Sequence, residues 1–416
     1  MLDLAFASIR ARRLPVALVT IALTAAMVLL LSIERIQTAT QQGFNQSLSG
    51  VDLIIGPRSS GIELVLYTTF HLGRPTNNIT TKTLEAIGKR PEIDWLVPIA
   101  LGDNHRGFRV VATTPDYFQH IQYAGNQALR FQAGRAFAAI NEVVIGSTVA
   151  KELGYTLGSR LFITHGASAT MGQAHDDVAF QVVGVLDATG TPNDQAVFVD
   201  LRGYELIHLG WQSGTRAFRI DGLDLASIPQ ERLQPTTVTA AYVGLKSKLG
   251  VFQFMRDIQA YPEEAISAII PGLALAELWS IVGMVDRVFE FLSWMIIAIS
   301  LIAMMTMTIT SLDQRTREMT ILRAVGASPW HLSILVMMES LVLGLGAIIA
   351  AIALVTLSTW LAADWIQTQL GIAAEISWLT VDECKTLAVI LLAGLASSLL
   401  PAMMVFRRNL QQGLLQ

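Results

Sequence analysis

Residues 14–33 form a run of 20 positions without one charged side chain. No other feature restricts the fold as strongly. In hydrocarbon there is no water to satisfy backbone N–H and C=O groups, so such a run must be helical. At about 1.5 Å per residue it covers the roughly 30 Å core of a bilayer. Residues 291–312 and 387–406 are equally free of charge, and 332–363 holds a single charged residue, Glu339. The chain is 52% hydrophobic and 15% charged, against about 25% charged in soluble domains. A net charge of −4 offers nothing for nucleic acid, and the single cysteine, Cys384, excludes an intrachain disulfide.

Arginine placement orients these spans. Arg10, Arg12 and Arg13 precede the first, Arg315, Arg317 and Arg323 follow the second, and Arg407 and Arg408 follow the fourth. The loop between spans three and four holds Asp364, Glu375, Asp382 and Glu383 against Lys385. Both termini are therefore expected in the cytoplasm. A signal peptide is the rival reading of the first run. The run is longer than the usual 7–15 residues and no clean cleavage site follows, so an uncleaved anchor is expected. Residues 265–285 are also apolar, but a fifth span would put one arginine cluster outside, and Pro271-Gly272 interrupts the run. They read as a short segment followed by an amphipathic stalk helix.

Residues 34–287 are then extracytoplasmic and long enough for a core of their own. They open on a polar, helix-like extension of the first span. Short β-type runs follow at 51–56, 95–101, 108–114, 142–146, 160–164, 180–186 and 196–201, with helical patterns at 80–90 and 147–154. Ser147 is the expected N-cap of the latter and Gly154 its C-terminal glycine. The expectation is a mixed α+β domain.

Chemistry-bearing motifs are scarce. No G-x-x-x-x-G-K-[ST] loop is present to cradle phosphates, nor G-x-S-x-G, H-E-x-x-H or paired cysteines. Six of the seven histidines fall within 34–287. His165, His175, Asp176 and Asp177 could be brought to a zinc ion, but none has tight ligand spacing, so no metal site is expected. Glu339 lies inside the third span, facing either the bundle or the cytoplasmic rim; an intramembrane carboxylate is costly and often functional. Ser340, Gly344 and the Gly346–Ala350 pair have small-xxx-small spacing, suited to packing within one subunit or to a dimer seam. Ser328-Pro329 reads as the N-cap and first turn that start the third span.

Between spans two and three stands SLDQRTREMTILRAVGASPW, residues 311–330, Arg-rich on one side and apolar on the other. A helix lying flat at the membrane surface can use both sides, although arginines that only fix topology are the plain alternative. The segment resembles the coupling-helix region of the FtsX/MacB-like ABC transporter permeases. Glu318, Ile321, Leu322, Arg323, Ala324, Gly326 and Ala327 stand at that family's positions, and Arg317 fills the basic one before the glutamate. Arg315 is the first arginine of the run, and Gln314 departs from the acidic or small residue usual before it. VATTPDYF (111–118), GRAF (134–137), EVVIGSTVAKELG (142–154), LGSRLFI (157–163) and FQVVGVL (180–186) are similar, in order, to the MacB-type periplasmic core.

The resemblance implies a membrane α-helical protein with four transmembrane helices and a large extracytoplasmic α+β domain, MacB-like, between helices 1 and 2. Expected boundaries are 1–33 for the N-terminus and first span, 34–287 for the domain with its stalks, 288–312 for the second span and 313–330 for the coupling helix. The third span is 331–363, the outer loop 364–385, the fourth span 386–406 and the tail 407–416. The missing phosphate loop and catalytic motifs lead to the expectation of no enzyme activity and no cofactor on this chain. ATP and Mg would sit on a separate cytoplasmic ABC ATPase, two copies serving a homodimer of this permease in the bacterial inner membrane. Two functions fit: a permease for export or extraction of a lipoprotein, peptide or hydrophobic small molecule, or a transmembrane regulator of an extracytoplasmic partner such as a cell-wall hydrolase. An extracytoplasmic adaptor or lipoprotein partner and contact with membrane lipids are part of the same expectation.

Overall fold

The computed structural model describes residues 13–47, 49–73, 75, 77–165, 178–209, 211–212, 215–216, 229–314, 321, 325–370 and 379–413. Two units divide the chain: Ala39–Val282 with Asp364–Ala373, and Met1–Thr38 with Gly283–Ala363 and Ala374–Gln416. In chain order the helices are α1 (Arg13–Gln46), α2 (Gly61–Thr69), α3 (Thr81–Gly88), α4 (Tyr117–His120), α5 (Ser147–Leu153), α6 (Leu201–His208), α7 (Val251–Gln259), α8 (Pro271–Gln314), α9 (Pro329–Leu370) and α10 (Val381–Gly413).

The first unit is built on an 11-stranded sheet. Its strands are β1 (Leu53–Pro57), β2 (Ile93–His105), β3 (Phe108–Thr113), β4 (Phe131–Gly134), β5 (Glu142–Ile145), β6 (Arg160–Leu161), β7 (Thr164–His165), β8 (Phe180–Leu186), β9 (Ala196–Asp200), β10 (Ala240–Leu245) and β11 (Ile266–Ile269). The order is β11-β1-β10-β2-β3-β9-β5-β8-β4, with β7 beside β2 and β6 beside β8. Pairs β3–β9 and β5–β8 are parallel and the rest antiparallel. The long strand β2 joins two halves: it pairs with β10 from Ile93 to Ile99 and with β3 from Ala100 to His105. Arg106 (φ +49) and Gly107 (φ +95) close the β2–β3 hairpin. Two positive φ values are what a tight turn between right-twisted strands requires.

Both faces of the sheet are covered, so each strand alternates between two cores. Ile55, Val110, Val143, Val197 and Val243 pack to one side; Ile54, Val111, Val144, Phe198 and Tyr242 pack to the other. Leu84 of α3, Val149 of α5, Leu206 of α6 and Ile258 of α7 close the first core. Leu64 of α2, Phe118 of α4 and Ala274 and Leu275 of α8 close the second. Each such aliphatic side chain contributes about 1.5–3 kcal/mol when fully buried.

The expected α+β domain is therefore present, with corrections. The run 160–164 is not one strand: Arg160 and Leu161 pair with β8, whereas Thr164 and His165 pair with β2. Ser147 is not the N-cap of α5; Gly146 is, its N–H still bonded to Ala196 O at 2.9 Å. The Ser147 hydroxyl instead serves the buried Asp194 carboxylate. Gly154 ends α5 in the left-handed conformation (φ +66), as its glycine suggests. Strands β4, β10 and β11 lie outside the expected β-type runs. Every residue of β10 is buried, so it lacks the one-sided alternation that marks a strand facing water.

In the second unit four helices share one core. Leu23, Met27 and Leu31 of α1, Ile297 and Met304 of α8, Ala347, Ala351 and Val355 of α9, and Leu387 and Ile390 of α10 are all buried in it. Among the described residues three helices are long and apolar enough to cross a membrane: Arg13–Ala39, Pro271–Thr306 and Ser333–Ala363. The fourth expected span falls within α10, which is helical for 33 residues but is not one of these three. The apolar stretch after Pro271 is no separate span, because α8 runs unbroken for 44 residues from Pro271. Helix α9 continues past the expected end of the third span, to Leu370, and α10 begins at Val381, ahead of the expected start of the fourth.

Candidate functional site

The segment linking α8 to α9 carries the coupling expectation. Ile321, Gly326 and Ala327 are described; Arg315, Arg317, Glu318, Leu322, Arg323 and Ala324 lie outside the described residues. Val325 N donates to Ile321 O at 3.1 Å, one helical turn. Both side chains are bare, Ile321 60% and Val325 83% exposed. Residues four apart share one helix face, so they form a small apolar strip. Gly326 then takes φ +100, which halts the helix. Ser328 Oγ accepts from His331 N at 3.4 Å and pairs with His331 Nδ1 at 2.5 Å, so it caps α9 immediately before Pro329.

Within α9, Glu339 is buried at 8% exposure and its neighbour Ser340 at 5%. Ser340 Oγ donates to Val336 O at 3.3 Å, inside its own helix. Gly344 lies close to α10: a Cβ there would come within 3.0 Å of Leu391 Cδ1. Gly346 behaves differently, since a Cβ at that position would meet nothing within 4 Å. Ala347 and Ala351, each one position after a member of the Gly346–Ala350 pair, are fully buried in α9.

The polar contacts that tie this unit together include residues to which the sequence reading gave no role. Arg35 Nε of α1 donates to Glu383 Oε1 of α10 at 2.7 Å, and the Glu383 side chain is 1% exposed. The other oxygen of Glu383 accepts from Thr380 N at 2.8 Å, while Glu383 N donates to Thr380 Oγ1 at 3.2 Å. This is a reciprocal capping box, and T-x-x-E was legible before the apolar run. Gln37 Nε2 donates to Asp286 Oδ2 at 2.8 Å, linking α1 to α8 beyond the apolar stretch of each. No sequence pattern pairs residues so far apart.

In the α+β unit, Arg135 and Glu142 lie in two of the sequence blocks that carried the resemblance. Arg135 holds both oxygens of Glu142, at 2.7 and 2.9 Å, and Glu142 also accepts from Ala138 N and Ala139 N. These bonds, the arginine first, pull the Glu142 carboxyl down to about 2. Of the zinc candidates, His165 lies in β7, while His175, Asp176 and Asp177 lie outside the described residues. Among the described residues no three metal-ligating side chains converge.

Residues 14–261 match the MacB-like periplasmic core domain and residues 290–410 the FtsX-like permease C-terminal model. No curated protein matches. The crystal structure of the periplasmic region of MacB from Actinobacillus actinomycetemcomitans is similar at 10% identity, over 56% of this chain and 94% of that one, with a TM-score of 0.33. The extracellular domain of the noncanonic ABC-type transporter YknZ from Gram-positive bacteria is similar at 13% identity, over 53% of this chain and 98% of that one, with a TM-score of 0.30. At these scores the structural likeness adds nothing, and the assignment rests on the two family models. The protein belongs to the FtsX/MacB-like ABC transporter permeases.

Proposed function

We propose that this protein is a permease subunit that converts ATP hydrolysis by a separate cytoplasmic ABC ATPase into movement of its α+β domain outside the membrane. On this reading the four helices of the shared core are the spans, α10 supplying the fourth, and both termini are cytoplasmic. The protein resides in the inner membrane and works as a homodimer with two ATPase copies. ATP and Mg bind the partner, since this sequence has no phosphate loop. The cargo class is a lipoprotein, a peptide or a hydrophobic small molecule.

One observation carries the reading: α1 and α8 continue without interruption from apolar into polar sequence. Helix α1 extends through Glu34 to Gln46, and α8 begins at Pro271, well before its own apolar stretch. A hydrogen-bonded helix about 1.5 Å long per residue transmits a displacement along its axis. The bare strip of Ile321 and Val325, with Glu318 before it in sequence and Arg323 between its two members, is the surface on which an ATPase would push.

The test is the double variant Glu318→Ala, Arg323→Ala. Truncating a desolvated interfacial charge costs about 2–5 kcal/mol. Copurification with the ATPase should fall at least tenfold, or ATP hydrolysis should lose its dependence on the permease. Normal copurification together with normal output would refute the coupling role. If the assembled complex drives an extracytoplasmic hydrolase and moves no cargo, the regulator reading replaces the transporter reading.

A further inference from the structure

A cavity of about 230 Å³ lies in the α+β unit where α2 ends against the β2–β3 hairpin, lined by Tyr67, His71, Pro75, Asn78, Leu101 and Arg109. It is smaller than the roughly 300–1,000 Å³ of drug-sized pockets, so its occupant has only a few heavy atoms. Among the described lining residues there is one cation, Arg109, and no carboxylate. Arg109 Nη2 donates to Gly73 O at 3.1 Å, which holds the guanidinium at the cavity wall.

His71 is the unusual member. It follows α2 with φ +54, and Leu72 N closes the helix end on Leu66 O at 2.9 Å. That left-handed position after a helix belongs ordinarily to glycine. Here a histidine occupies it, 8% exposed, beside an arginine. Strained backbone of this kind gathers at ligand clamps. Leu101 and Pro75 supply an apolar wall, and Asn78 adds an amide.

We propose that this cavity binds a small organic carboxylate, with Arg109 as counter-ion, His71 and Asn78 as polar neighbours, and the apolar end of the ligand against Leu101 and Pro75. A guanidinium fork suits a carboxylate in geometry as well as charge. Burial, and then the Arg109 charge, depress His71 to about 4, so its ring is neutral at physiological pH. An anion beside it favours the protonated ring, so binding raises the His71 midpoint. Among the described lining residues the ionisable side chain besides His71 and Arg109 is Tyr67, pushed up to about 12 by burial and therefore neutral throughout. The inference does not depend on the coupling role.

The experiment uses the full chain in lipid nanodiscs with ¹³C-labelled histidine, and trifluoroacetate as probe because it stays ionised at every pH used. The His71 signal is assigned by its loss in His71→Gln. Saturating trifluoroacetate should raise the His71 midpoint by about one unit or more, the usual effect of a close opposite charge. Neutral trifluoroacetamide should not, and Arg109→Gln should abolish the effect. No saturable shift, an equal shift with the amide, or an unchanged shift in Arg109→Gln would overturn the proposal. Should Arg109→Gln fail to fold, Arg109→Lys keeps the charge without the fork and should bind at least tenfold more weakly; unaltered binding there is equally fatal. If only a peptide with a free C-terminus produces the shift, and trifluoroacetate does not, a small carboxylate is the wrong ligand.

Discussion

Glu383 uses its two oxygens for two tasks, one capping α10 through Thr380 and one holding Arg35 of α1. Removing one partner from a buried pair leaves an uncompensated charge, at a cost of about 3–5 kcal/mol when burial is complete. Arg35 is 17% exposed, which places its loss at the lower end of that range. Arg35→Met should therefore lower the melting temperature of the purified permease clearly more than Glu383→Gln, because glutamine still closes the capping box. Equal losses in a thermal melt would show that the Glu383 carboxylate left without Arg35 costs nothing extra. Arg135 and Glu142 make a pH prediction. The folded carboxyl sits near 2 against an ordinary 4.5. A depressed carboxyl contributes stability that is fully present above about 4.5 and is lost as pH falls toward 2. Arg135 is well exposed, so screening reduces the contribution to about 1 kcal/mol. Glu142→Gln should lose about that much at pH 7 and nothing at pH 2, as denaturant melts at the two pH values would reveal.

At the scale of elements, α1 and α8 are the parts that matter most. Gln37 and Asp286 join them at 2.8 Å, so the two helices are tied at one level. Inserting Gly-Gly after Gln37 puts two poor helix formers into α1, at about 1 kcal/mol each. Folding should survive that cost while ATP hydrolysis loses its effect on the α+β domain. Spin labels on paired Gln41 residues of the dimer would follow the motion. An unchanged distance across the ATP cycle, in a complex shown to be active, would sink the relay. Register in α9 is a second lesson at this scale. Gly346 and Ala350 have the spacing of a close-packing pair, within one subunit or across a dimer; the pair buried in this unit is Ala347 and Ala351, and Gly346 has open space around it. Adjacent positions differ by about 100° around a helix, so composition alone does not say which faces the core.

For the whole molecule, the expected topology is four spans with both termini in the cytoplasm. Cysteines at Ser8 and Gln412 should resist a membrane-impermeant thiol reagent in intact cells, and one at Gln173 should react. The native Cys384 is exposed, so the experiment needs a Cys384→Ser background. Labelling of Gln412 from outside would rule the topology out, and with it the placement of the coupling segment beside an ATPase.

The sequence by itself determined that the chain carries helices long and apolar enough to cross a membrane, roughly where three of them run, and that an α+β domain lies between the first and the second. Those properties follow from runs of apolar residues and from arginine placement, which are local and additive. It also supplied the family, through residues such as Glu318, Ile321 and Gly326 at fixed spacing. Only the tertiary structure decided the rest. β10 lies mid-sheet with both faces buried, so no periodicity announces it. The pairing of Arg35 with Glu383 spans 348 positions, and the cavity around His71 and Arg109 draws on α2, β2 and β3. Contacts of that kind depend on how elements pack, and packing is a property of all the elements together rather than of any one stretch.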